Sequence, residues 1–154
     1  MDLPNWYGLR YPTLEDLEVY TEQLGAVVVW SRTRQAAFSP GTREEAPAIY
    51  LPRNADPLEK AWLLAHELGH LFHHAGPNQI KWRRNEAEAN RWAACALIPE
   101  ERIQAYRNAT IDAFVGALSA HFEDLPLTDC PARRLAGKIA RIRLNAISAI
   151  LETT

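Results

Sequence analysis

The chain has 154 residues, 47% of them hydrophobic, with a formal net charge of −2 and a sequence pI near 6.2. This is ordinary single-domain size with apolar material for one core, so a single domain over 1–154 is expected. The charge balance excludes a protein built as a whole to attract phosphate backbones and leaves room only for local nucleic-acid contact.

Two cysteines, Cys95 and Cys130, stand outside any CxxC pair, which argues against a disulfide framework and against a thiolate zinc site. The N-terminus, MDLPNWYGLRYP, has an acidic second residue and no apolar signal-peptide core, and no later run approaches bilayer-spanning length. A soluble cytoplasmic protein without a membrane partner is the expectation.

In chain order, Trp6, Tyr7 and Tyr11 lie between Pro4 and Pro12, a composition suited to an irregular arm packed down by its aromatics. Thr13 followed by Asp16 makes an N-cap pattern. Leu14, Leu17, Val19, Tyr20 and Leu24 then recur at helical spacing until Gly25. The β-branched run Ala26–Trp30 and the run Ala48–Leu51 read as strands, with Ser39-Pro40-Gly41 as a turn and Ala36–Phe38 as a possible extra strand. They predict a small antiparallel sheet of two or three strands. Asp56-Pro57 starts a helix and Gly76-Pro77 stops it; over 57–75 its apolar residues cover most of the circumference, so this helix is expected to be central and largely buried.

A polar loop near 77–84 leads to an alanine-rich helix over Asn85–Leu97, ended near Pro99. Further helices are expected over 100–106, 110–122 and 131–151. The fold class is thus α+β, a small sheet with a mainly helical bulk.

The central helix contains His66-Glu67-Leu68-Gly69-His70. Histidines four apart project from one helical face and can share a tetrahedral zinc, and the glutamate beside the first can take a proton from a water on that metal. A catalytic zinc usually takes three protein ligands, so a third is needed. Glu86 and Glu88 are the candidates, and a helix cannot aim side chains two apart at one point. Glu86 is preferred because it shares a face with Asn90, placed to hydrogen-bond the outer nitrogen of a ligating histidine. Glu88 shares a face with Trp92 and Cys95. The predicted roles are therefore His66, His70 and Glu86 as metal ligands for Zn²⁺ and Glu67 as general base. His74, four residues beyond His70, is a candidate for the rim of the cleft and oxyanion stabilisation, against a reading as a helix-capping histidine. His73 and Tyr50 are weaker candidates, and His121 reads as a surface residue.

HELGHLFHH followed about a dozen residues later by NEAEANRWAACALIP resembles the ImmA/IrrE family of metallopeptidases, with the motif match covering roughly residues 46–99. Residue by residue, the resemblance makes His66, His70 and Glu86 the zinc ligands and Glu67 the catalytic acid/base, and places His74 at the family's additional histidine. Trp92 and Ile98-Pro99 depart from the usual Phe and Met-Pro, and basic residues before the motif are reduced to Lys60. The resemblance implies a zincin-like core and a cytoplasmic zinc endopeptidase in phage, mobile-element or stress regulation. It also implies a helix-turn-helix transcriptional repressor as protein substrate, supplied in trans.

The last helix places Arg133, Arg134, Lys138, Arg141 and Arg143 opposite Leu135, Ile139, Ile142, Ala146 and Ile150. Its basic stripe reads first as a solvated face. With the preceding helix and turn, within 110–151, it could form a helix-turn-helix-like unit making weak or indirect DNA contact. The competing function is a non-proteolytic regulatory or partner-binding module that keeps a structural zinc site; an intact Glu67 favours the enzyme.

Overall fold

The computed structural model describes residues 2–39, 41–74, 82–100, 115–116, 118, 121–122 and 131–153; within the helices, the side chains of 74, 82–85, 132 and 147–153 lie outside that description. The elements run α1 (Leu14–Gln23), β1 (Val27–Ser31), β2 (Ala37–Ser39), β3 (Ala48–Pro52), α2 (Pro57–His74), α3 (Trp82–Leu97) and α4 (Pro131–Thr153). Residues 115–116, 118 and 121–122 are also helical. The architecture is α+β, a three-stranded sheet with a mainly helical bulk.

The cap expected for α1 is present and reciprocal. The Asp16 N–H donates to Thr13 Oγ1 at 3.1 Å, and the Thr13 N–H donates to Asp16 Oδ2 at 2.8 Å. Two orphan amide groups at the helix start are thereby satisfied. The N-terminal arm is tied down by aromatics: Trp6 is buried, and Tyr7 packs on Trp92 with ring centroids 5.2 Å apart. The Glu100 N–H donates to Gly8 O at 3.0 Å, fastening the arm to the end of α3.

The strand order is β1-β3-β2. β2 and β3 pair antiparallel, with Phe38 opposite Ile49, as the sequence predicted. β1 and β3 pair parallel, with Val29 opposite Tyr50, so the sheet is mixed rather than wholly antiparallel. The physical reason lies in burial. Ile49 and Leu51 are fully buried, which suits the middle of the sheet, whereas the three-residue β2 is exposed enough to serve only as an edge. With β3 between its two predecessors and β1 running opposite to β2, one pairing is parallel and the other antiparallel, a choice invisible to strand patterning alone.

Leu58, Ala61, Trp62, Leu64, Ala65 and Leu68 of α2 are all buried, in one apolar cluster with Leu17, Ile49 and Leu51 on one side and Ala93, Leu97 and Ile139 on others. α2 is therefore the central element, as its all-round apolar pattern predicted. α3 begins at Trp82, three residues before the expected start, and Arg83 and Arg84 extend it as good helix formers. The expected helix 100–106, most of 110–122, and the turn of the helix-turn-helix-like unit lie outside the described residues.

α4 departs from its expected basic stripe at one position. Arg134, Lys138 and Arg141 are exposed, but Arg143 is only 6% exposed and donates from Nε to Ile98 O at 3.1 Å. Among the described residues, no helix is long and apolar enough to cross a membrane.

Candidate metal centre

Glycine at 69 lets α2 and α3 touch. A Cβ on Gly69 would lie 2.8 Å from the Ala89 Cα and 2.8 Å from the Ala89 carbonyl oxygen, closer than real Cβ contacts come. Since interaxial distance follows from the side chains at the crossing, a glycine against an alanine allows a short one. The two histidines on α2 and the glutamate on α3 are thereby brought within reach of one another.

The three side chains converge. His70 Nε2 lies 2.8 Å from Glu86 Oε1 and 3.1 Å from His66 Nε2, and His66 Nε2 lies 3.2 Å from Glu86 Oε2. Among the described residues, His66, His70 and Glu86 form a group whose ligand atoms all fall within 4.8 Å of one another. Bonds of about 2.1 Å to a tetrahedral metal would separate neighbouring ligand atoms by roughly 3.4 Å, so the observed spacing is close to what such an ion requires. The donor set, two imidazole nitrogens and one carboxylate, suits a borderline divalent metal.

Behind His66, Asn90 Oδ1 lies 2.8 Å from Nδ1. An amide oxygen can only accept, so Nδ1 carries the proton and Nε2 turns its lone pair toward His70 and Glu86. The ring is also braced by Trp62, with centroids 6.3 Å apart. Asn90 shares its face with Glu86 through the i, i+4 relation, so one helical face delivers both groups.

Glu67 is half-buried beside His66. Burial pushes its carboxyl up from the ordinary range; the neighbouring His66 works against that shift and Glu86 adds to it. Glu88 is not in the cluster. It lines a separate cleft with Tyr7, Trp92 and Cys95, on the other side of α3 from Asn90. His73 Nδ1 lies 2.9 Å from Gly69 O in the preceding helical turn. His74 ends α2, but its side chain is outside the described residues. Tyr50, 36% exposed on β3, has no hydrogen bond to the cluster among the described residues. His121 stacks on Tyr11 at 4.8 Å, with Nε2 3.0 Å from Pro12 O; it is exposed, yet it ties this helical segment to the arm.

Gly69 and Ala89 are the positioning residues that residue chemistry alone did not single out. The available signal was a glycine inside an otherwise strong helix, where it costs about 1 kcal/mol relative to alanine and so implies a packing reason.

No match is found among curated proteins or among solved structures. The sequence profile of the peptidase M78 family, described as the IrrE N-terminal-like domain, matches residues 19–123. That span includes α2, α3 and every residue of the cluster, and it covers more than half of the chain. The chain belongs to the IrrE N-terminal-like domain family of M78 peptidases, a metallopeptidase family.

Proposed function

We propose that this protein is a zinc-dependent endopeptidase, with His66, His70 and Glu86 holding the metal and Glu67 moving the proton. The observation that supports it best is the convergence of two imidazole Nε2 atoms and one carboxylate from two helices, with Asn90 fixing the tautomer of His66. When bound, zinc supplies Lewis acidity, polarising a carbonyl oxygen and making a water more acidic. The chain's own contribution is geometric and acid–base. Glu67, adjacent to the first ligand and half-buried, accepts a proton from the attacking water on its carboxylate and passes it to the leaving amine. Gly69 and Ala89 hold the two ligand-bearing helices together, so the donor set costs little reorganisation.

The substrate we assign is a protein, and the family likeness points to a helix-turn-helix transcriptional repressor. A cytoplasmic setting follows from that substrate. The α4 stripe offers three exposed basic residues, Arg134, Lys138 and Arg141, for any contact with DNA or a DNA-bound partner.

The decisive experiment combines purified protein, zinc and a helix-turn-helix repressor of the kind the family likeness points to. Wild type should cleave, and Glu67→Gln should lose about 10²- to 10⁴-fold in rate while keeping its metal. Equal cleavage by Glu67→Gln would remove the peptidase assignment and favour a regulatory module with a structural metal.

A further inference from the structure

Arg143 stands apart from the rest of its helix. At 6% exposure it is buried, and among the described residues no carboxylate lies within ion-pairing distance of it. Its Nε donates to Ile98 O, while its terminal Nη groups have no protein acceptor among the described residues. A guanidinium cannot shed its proton, and a buried cation without a counter-charge is costly.

A buried donor without a partner belongs to a residue of the same cleft. Trp92 Nε1 is buried and finds no hydrogen-bond acceptor. Buried polar groups are nearly always paired, so the unsatisfied indole N–H calls for an external acceptor, and the Arg143 Nη groups, which are not among the fully buried atoms, are open to one as well. Both residues line a cleft of about 550 Å³ that also includes Tyr7, Cys95 and Arg91. None of His66, His70 or Glu86 lines it. Tyr7 and Trp92, with rings 5.2 Å apart at 40°, provide an aromatic wall. Burial, with Cys95 adding to it, pushes the Tyr7 phenol up, so its hydroxyl stays protonated, and it donates to Trp92 O at 3.4 Å, which holds the ring in the wall.

We propose that this cleft binds a small carboxylate-bearing molecule with an apolar or aromatic body, its carboxylate held by the Arg143 guanidinium with Trp92 Nε1–H beside it. A planar monoanion matches the guanidinium fork, which can donate two parallel hydrogen bonds. A phosphate dianion fits less well, because the carboxylates of Glu88 and Glu100 also line the cleft and repel a second negative charge. Arg91, exposed on α3, adds a cation from the solvent side. The site lies outside the proposed peptidase machinery, and its occupancy is read without measuring turnover.

The test uses the full chain labelled with ¹⁵N, following the Trp92 indole resonance assigned through Trp92→Phe. Benzoate is the probe, benzyl alcohol its neutral counterpart and phenyl phosphate the dianion. Benzoate should give a saturable shift that is the same with or without EDTA, since the metal plays no part. Benzyl alcohol should give little shift, and phenyl phosphate should bind more weakly than benzoate. Arg143→Gln should weaken benzoate about tenfold or more. If that variant does not fold, Arg143→Lys, which keeps the charge but loses the fork, should still weaken it. The proposal is overturned by the absence of a saturable shift, by equal shifts from benzyl alcohol, by tighter phenyl phosphate binding, or by unchanged affinity in the folded Arg143 variant.

Discussion

Gly69 of α2 meets Ala89 of α3 backbone to backbone: a methyl group on Gly69 would come within 2.8 Å of both the Cα and the carbonyl oxygen of Ala89. The contact sits one residue before His70 and one residue before Asn90. Helix separation here and the spacing of the ligand atoms are therefore the same structural quantity.

Gly69→Ala should push the helices apart. The gain in helix propensity, about 1 kcal/mol, is set against overpacking of about 1 to 3 kcal/mol with backbone, not a flexible side chain, as the obstacle. Net destabilisation in urea melts is expected, together with a larger proportional loss of zinc affinity, because His70 and Glu86 separate from their 2.8 Å contact. Wild-type zinc affinity in Gly69→Ala would show that the close approach does not position the site.

Asn90→Ala removes the acceptor that fixes the Nδ1 proton of His66. Loss of such a supporting hydrogen bond typically lowers metal affinity by about 10- to 100-fold. Competition with a zinc chelator measures it, and Asn90→Asp, which keeps an acceptor oxygen at the same place, should recover most of the loss.

Removing the metal should lower stability, since an ion that binds only the folded state stabilises it by mass action. EDTA should lower the melting temperature of the wild type, and Glu86→Ala, lacking one of the three clustered ligands, should be far less sensitive to EDTA. A melting temperature of the wild type that does not respond to EDTA or added zinc would speak against a metal at this cluster.

Asp16 sets an acid-side dependence away from the site. The Arg10 guanidinium hydrogen-bonded to it is the largest cause holding its carboxyl at about 2; Thr13 helps through its N–H and hydroxyl, and partial burial works against them. With the folded value below the unfolded one near 3.8, this contribution is full above that unfolded value and is lost as pH falls toward about 2. Arg10 and Asp16 are 53% and 22% exposed, so the contribution is small and should shrink with added salt. Asp16→Asn should flatten the stability profile in that window, and Thr13→Ala should cost about 1 kcal/mol at neutral pH through the lost cap.

Much of the site was legible because its logic is local. The i, i+4 spacing places His66 with His70 and Glu86 with Asn90 whatever the rest of the chain does, since both pairs follow from the 3.6-residue period. Asp56-Pro57 and Thr13 with Asp16 marked helix starts for similarly local reasons, being hydrogen-bonding and φ constraints of single residues. The sequence by itself therefore determined the type of the described elements, the α+β class, the family resemblance and which three residues come together. Only the tertiary structure decided what depends on distances between elements. It put β3 between β1 and β2, because burial of Ile49 and Leu51, not chain order, selects the central strand, and it ran β1 parallel and β2 antiparallel to β3. It turned Arg143 inward, since facing along a helix says which residues share a stripe but not where the neighbouring Ile98 carbonyl will lie. It also set the separation of α2 from α3 at Gly69 and Ala89, which turns the HELGH stretch from two histidines on a helix into part of a three-residue cluster that could hold a metal ion.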